Sequence, residues 1–349
     1  MIEQFKEQIR AAAAEQRPIR IRGGGSKDWY GGALQGEILD TRGHSGIVDY
    51  EPTELVITAR CGTPLAEIEA VLADQNQMLA FEPPHFGAGA TFGGAIAAGL
   101  SGPRRANSGG VRDFVLGAQL LDGKGELLNF GGQVMKNVAG YDVSRLLAGS
   151  LGTLGLITEL SVKVLPRSVA ETTLRFETSE IDAIRLLNVW GGQPLPVSGS
   201  CWHQGALMLR LSGARAAVDA AIGSLGGQVV ADAGGFWDDL REQRHAFFAD
   251  EDNIALWRLS VPSTTGAIVL DGEQLIEWGG AQRWLRAPSG DAETIRGAVR
   301  AVGGHATLFR GGDRTAGVFQ PLAPAVARIH ERLKTAFDPA NIFNPGRLF

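Results

Sequence analysis

Apolar residues open the chain at helical spacing: Ile2, Phe5, Ile9 and Ala13 fall on one face of the first sixteen positions with charges opposite, which predicts an opening helix. After Pro18 the alternation Ile19-Arg20-Ile21-Arg22 predicts a strand that stops at Gly23-Gly24-Gly25-Ser26. Further strands are expected around 36–40 and 55–59. Thr63 then stands where it would cap a helix carrying Pro64 in its first turn and Leu65, Ile68, Val71 and Leu72 on one face, ending near Gln75. Two apolar runs, 114–121 and 126–130, flank Asp122-Gly123 and predict a hairpin, and a strand over 159–165 is closed by Pro166.

Beyond residue 167 the texture changes. Glycine thins out and six of the seven tryptophans appear, which marks a separate core. Strand-like pieces such as 206–211 alternate there with helical ones at 214–225 and 292–302, so the fold class expected is α+β. A helix over 324–335 leads into a tail dense in turn residues, Asp338-Pro339-Ala340-Asn341 and Asn344-Pro345-Gly346. The expected division is 1–167, then a smaller α+β domain over 168–325, then a returning helix and tail over 326–349. The Trp and Phe residues of 236–257 read either as that second core or as a partner surface.

Composition narrows the classes. With 349 residues, 44% hydrophobic and 20% charged, the chain can fill about two cores. A net charge of −5 argues against nucleic acid as a partner. Cys61 and Cys201 stand alone, without the spacing of a disulfide scaffold or a zinc-thiolate site, and no metal site is expected. The first residues lack the apolar run of a signal peptide, and the uncharged stretch 86–103 holds six Gly and a Pro, so no membrane-spanning helix is expected there. The expectation is a cytoplasmic chain.

The deviation that asks for chemistry is 48 glycines, about twice the usual share. Gly23-Gly24-Gly25-Ser26-Lys27 after a strand reads either as a phosphate cradle, whose N–H groups face an anion with no Cβ between, or as an ordinary turn. A second glycine run, 87–99, and Ser101-Gly102 and Asn107-Ser108-Gly109-Gly110 follow closely, as though one extended ligand crosses backbone. A Rossmann motif is disfavoured because Pro83-Pro84-His85 precedes the run and its spacing is GxGxxxG. Gly123-Lys124 is followed by Gly125, so it is not a P-loop.

Four ordered segments, 19–27, 90–105 with 109–117, 137–159, and 337–348, make the chain resemble the flavoproteins of the vanillyl-alcohol oxidase type, whose FAD-binding domain is called PCMH-type. The resemblance implies a domain of two α+β subdomains that clamp an extended FAD, followed by a smaller cap domain. By the same resemblance, Gly23, Gly24, Gly25 and Ser26, with Ala90, Thr91, Gly93 and Gly94, hold the pyrophosphate, with Arg22 and Lys27 beside it and Pro84 ahead of the second loop. Ser101, Gly102, Gly109 and Arg112 are implied along the flavin and ribityl side. Gly152, Thr153 and Ile157 are implied near the adenosine, with Asn344 returning from the tail towards the flavin. The first loop carries Ser26 and Lys27 where covalently flavinylated relatives carry His, so non-covalent FAD is expected. His85 reads as a loop histidine.

Catalytic members of that family carry a His-x-Gly-Asp-Gly-Asn-x-His stretch, whereas the six histidines here include no pair spaced three to five apart. The resemblance therefore implies the FAD-binding subunit of a complex that oxidises glycolate, or a related small 2-hydroxy acid, to the 2-oxo acid. Its implied partners are a second FAD-containing catalytic subunit and an iron–sulfur subunit, with any membrane contact made only through them. A self-sufficient FAD-dependent dehydrogenase or oxidase is the alternative, and a flavin-free scaffold a third reading. His305, Arg310 and Arg314 are candidates to face a flavin, against the simpler reading of a packed histidine and solvated arginines. Tyr141 is a candidate proton donor, against a packing role.

Overall fold

The computed structural model describes residues 1–132, 143–249, 254–287 and 292–348. Contacts divide the chain into two units: Met1–Leu100, Gly110–Pro166 and Pro321–Phe349 form the first, and Ser101–Gly109 with Arg167–Gln320 the second.

The first unit is built on an antiparallel sheet in the order Ile47–Glu51, Val56–Arg60, Leu156–Lys163, Val115–Leu121, Leu127–Gly131. The helices Leu65–Asp74 and Phe92–Ala98 share one core with its strands, in which Ile57, Leu65, Ile68, Leu72, Phe92, Ile96 and Leu160 are buried. Each such side chain removed from water contributes about 1.5–3 kcal/mol. The hairpin closes on Asp122, whose Oδ1 accepts from the amides of Lys124 and Glu126 at 2.9 Å each. Thr63 does not cap its helix. Pro64 occupies the N-cap position, while the Thr63 hydroxyl accepts from the Gly46 amide at 2.9 Å and donates to the Arg60 carbonyl at 2.8 Å.

A second small core holds the chain ends together. The opening helix Ile2–Ala14 buries Phe5, Ile9 and Ala12, one position before the expected Ala13. These meet Ile19 and Leu39 from the parallel strands Ile19–Arg22 and Glu37–Asp40, and Ile342 and Phe343 from the tail.

The second unit is an eight-stranded antiparallel sheet ordered Gln228–Val230, Ala170–Glu177, Ala206–Gly213, Val197–His203, Glu273–Glu277, Gln282–Ala287, Ala255–Ser260, His305–Arg310. Helices Glu180–Gly191 and Arg215–Leu225 pack on Leu174, Leu207, Leu209 and Leu211, while Ala292–Ala301 packs on Trp257, Leu259, Leu285 and Leu308. Of the Trp and Phe residues of 236–257, Trp237, Phe247, Phe248 and Trp257 are buried, as the core reading expects, while Phe236 is half-buried. The short segment 101–109 belongs here because the Trp278 Nε1 donates to the Gly102 carbonyl at 3.1 Å and the Arg105 guanidinium lies 4.5 Å from the centre of the Trp278 ring system. Arg104 also pairs with Glu171.

Two histidines and that glutamate set an expected pH response. Burial holds His44 and His245 below the ordinary 6.5; Arg60 adds to the shift at His44, and at His245 the neighbouring His203 adds to it while Asp239 and Glu273 oppose it. For Glu171 burial acts upward, but the Ser212 hydroxyl, Arg210 and Arg104 hold it below the ordinary 4.5. In both cases the unfolded chain binds more protons than the folded one below the ordinary value, so stability falls with pH. Denaturant midpoints are expected to drop as pH falls from 6.5, and again below 4.5. A chain that gains stability between pH 7 and pH 5 would contradict this.

Candidate functional site

The strand Ile19–Arg22 delivers the chain into the turn Gly23–Ser26, and this turn meets the second glycine run at backbone distance. A Cβ on Gly24 would lie 1.3 Å from the Gly89 carbonyl oxygen, and one on Gly23 would lie 2.3 Å from the Thr91 hydroxyl oxygen. Only glycine permits that approach. The helix Phe92–Ala98 emerges directly from the second run, with the Thr91 hydroxyl accepting from the Gly94 amide at 3.3 Å and Gly99 ending it at φ 65°. The glycine content of 87–99 predicts loop, yet 92–98 is helical, and the same small residues let the helix sit close to its neighbours.

Between the two turns lies an open trough of about 570 Å³, lined by Gly23, Gly24, Gly25 and Ser26 with Arg22, Lys27, Asp28, Thr91, Gly94, Ala97, Asn344 and Arg347 among others. The amides of Gly23, Gly24, Gly25 and Ser26 donate no hydrogen bond among the described residues. A second pocket of about 420 Å³ shares Ile21, Gly23, Gly94, Ala97, Leu151 and Asn344 with it and reaches Thr41, Cys61, Gly93, Gly152, Gly155 and Ile157. Burial pushes the Cys61 thiol up to about 12, so it stays protonated and unreactive at neutral pH.

The tail braces this site. Asn344 accepts from the Ile21 amide at 2.8 Å and donates to the Leu151 carbonyl at 2.6 Å, bridging the strand and the 151 turn. Arg347 donates to the carbonyls of Gly32, at 2.6 Å, of Asp28, at 3.1 Å, and of Tyr30. Lys334 donates to the carbonyls of Thr153, at 2.8 Å, and Phe343, at 2.9 Å, and to the Asp338 carboxylate at 2.5 Å. Burial holds its ammonium below the usual lysine value, and the Asp338 charge opposes that shift.

Of the residues singled out from the sequence, Arg22, Gly23, Gly24, Gly25, Ser26, Lys27, Thr91, Gly94 and Asn344 line the trough, and Gly93, Gly152 and Ile157 line the second pocket. Pro84, Ala90, Arg112 and Thr153 belong to the same unit but line neither; Arg112 is exposed. Ser101, Gly102 and Gly109 pack with the second unit. There too lie His305 and Arg310, on the strand His305–Arg310, where Arg310 donates to the Phe248 carbonyl at 3.0 Å. Arg314 follows in the same unit. His85 pairs with Glu69 at 2.9 Å, and its carbonyl accepts from Lys27 at 3.1 Å. Tyr141 lies outside the described residues. Asp28, Cys61 and Arg347 were missed; Arg347, a cation in a turn-rich tail, carried the one signal that could have drawn attention.

Free amides, a bare glycine backbone, cations at the rim and two connected pockets suit a long ligand with a diphosphate in its middle. The residues present therefore fit a dinucleotide. The fold and site define an α+β chain with a PCMH-type FAD-binding domain, and the model of the FAD binding domain family matches residues 1–131. The glycolate oxidase subunit GlcE of Escherichia coli (strain K12) is 51% identical over 343 residues, covering 98% of this chain and 96% of its own length. The chain belongs to the GlcE family. Glycolate oxidase subunit GlcD of Bacillus subtilis (strain 168) is 32% identical over 170 residues, 48% of this chain and 36% of that protein. A solved alkyldihydroxyacetonephosphate synthase shares the fold with a TM-score of 0.69 at 16% identity, over 99% of this chain and 76% of that one.

Gly24→Ala is expected to lower stability by about 3 kcal/mol and to abolish dinucleotide uptake, because the clash is with backbone. Gly235→Ala, on a helix with nothing within 4 Å of the new methyl, is expected to gain about 0.5–1 kcal/mol. Thermal melts and FAD titration of the two variants check this; a Gly24→Ala protein that folds and loads normally would sink it.

Proposed function

We propose that the chain is the FAD-carrying subunit of a glycolate oxidase complex, in which glycolate or a related 2-hydroxy acid is oxidised to the 2-oxo acid. The observation that carries the reading is the near-full-length identity to the E. coli subunit, joined to a glycine trough whose amides await an anion. Bound FAD would supply a two-electron acceptor for electrons withdrawn from the substrate's CH–OH group within the complex.

The chain's own residues then have definable work. The Gly23–Ser26 amides take diphosphate oxygens by hydrogen bonds, and Arg22 and Lys27 compensate their charge. Thr91 and the adjoining glycines keep the backbone close enough to exclude water there. Asn344 and the buried Arg347 hold the loop in register, and Gly152 and Ile157 shape the second pocket. Ser101, Gly102, Gly109 and Arg112 are proposed along the flavin and ribityl side. FAD is held without a covalent link: among the described residues the trough lining includes no histidine or cysteine, and the Cys61 thiol beyond it is too weakly acidic to attack.

The subunit reading assigns the substrate's proton removal and carboxylate binding to a second flavoprotein chain, with an iron–sulfur chain carrying electrons away. It rests on the absence from this sequence of the paired-histidine stretch that the catalytic relatives have. No helix among the described residues is long and apolar enough to cross a membrane, so any membrane contact is assigned to those partners.

Anaerobic titration with glycolate checks the proposal. The isolated chain is expected to retain its FAD but to bleach slowly with substrate, while the co-purified complex bleaches at a catalytic rate. Rapid bleaching of the chain alone would replace this reading by a self-sufficient dehydrogenase, and a chain that stays colourless with saturating FAD would leave only a scaffold.

A further inference from the structure

The alternation Ile19-Arg20-Ile21-Arg22 puts two guanidinium groups on one face of a strand, and the turn that follows brings one carboxylate back to both. Asp28 Oδ2 receives the Arg22 Nε at 2.8 Å and also pairs with Arg20 Nη2. The backbone of Asp28 is fixed independently of these pairs. Its amide donates to the Gly25 carbonyl at 3.1 Å, and its own carbonyl accepts from Arg347 at 3.1 Å. Arg22 in turn lies directly over Gly25, where a Cβ would come within 2.2 Å of its Nη2, and both Arg22 and Asp28 line the trough.

An acid inside an anion site needs a reason, since it repels what the site collects. We infer that Asp28 is the positioning residue for Arg22: it takes up Nε and so leaves the guanidinium fork to a phosphate oxygen pair. This rests on the reading of the trough as a diphosphate site and adds to it the device that prepares one of its cations. Two effects oppose each other. Removing the carboxylate relieves repulsion, but that charge already faces two guanidinium groups, so the relief is small. Removing it also frees a long side chain that must be ordered again whenever the ligand binds, and this cost is the larger.

The full chain, stripped of flavin and titrated with FAD by fluorescence, tests this. Asp28→Asn is expected to weaken FAD binding by about three- to tenfold, mainly through faster release. In an Arg22→Gln background the same change is expected to cost nothing further, since Asp28 acts through Arg22. If Asp28→Asn does not fold, Arg22→Lys serves instead: it keeps the charge, lacks the fork, and is expected to weaken binding to a similar extent. Asp28→Asn that binds as tightly as the parent or more tightly, additive penalties in the double variant, or an Arg22→Lys chain with parental affinity would each overturn the inference while leaving the trough intact. A parent chain that takes up no FAD would instead overturn the reading of the trough, and the inference with it.

Discussion

The contact on which the site depends is between two stretches of bare backbone. Gly24 stands so close to the Gly89 carbonyl that any side chain would occupy the same space, and a Cβ on Gly23 would come within 2.3 Å of the Thr91 hydroxyl oxygen. The two turns can converge only because neither carries a Cβ at the crossing, and convergence is what turns the unsatisfied amides of Gly23–Ser26 into one lining rather than scattered surface groups. Glycine costs conformational entropy in such loops, about 0.5–1 kcal/mol per position relative to alanine, so the arrangement has to be held by something else.

That support comes from the end of the chain. Lys334, Asn344 and Arg347 are buried polar side chains whose hydrogen bonds run mostly to backbone carbonyls of the 19–32 and 151–153 stretches. Buried groups of this kind are costly unless hydrogen-bonded; Lys334 donates to three oxygens and Arg347 to three carbonyls, while Asn344 donates one hydrogen bond and accepts one. Arg347 alone ties three carbonyls of the 28–32 turn, which carries Asp28 and hence the Arg20 and Arg22 pairs. The opening helix adds an apolar anchor for the same region through Phe5 and Ile9 on Phe343.

The second unit uses similar physics for a different end. Arg283 is fully buried in a broad antiparallel sheet, yet it spends its donors on the carbonyls of Gly266, Gly280 and Thr265. Glu277, likewise buried, accepts from Trp284 at 2.6 Å and Gln282 at 3.1 Å. These networks hold the loops that link the interior strands Ala255–Ser260, Glu273–Glu277 and Gln282–Ala287. The segment 101–109, which follows the second glycine run in sequence, is drawn into this unit by Trp278 and Glu171.

Much of this was legible in one dimension because it is local. The period of Phe5 and Ile9, the alternation of Ile19 to Arg22, the Asp122-Gly123 turn and the glycine runs each depend on neighbours within a few residues, and the order of the motifs was enough to point to the family. What pattern alone misplaced was equally physical. Thr63 has the chemistry of a cap, but Pro64 takes that position and the hydroxyl finds Gly46 instead. The helix Phe92–Ala98 hides in a glycine-rich run because its stability comes from burial against the sheet rather than from propensity. Asp28 and Arg347, 319 residues apart, acquire their roles only when the tail folds back on the first turn. Local periodicity determines which elements form, whereas partners for buried charge are chosen across long sequence separations, and only packing in three dimensions selects them.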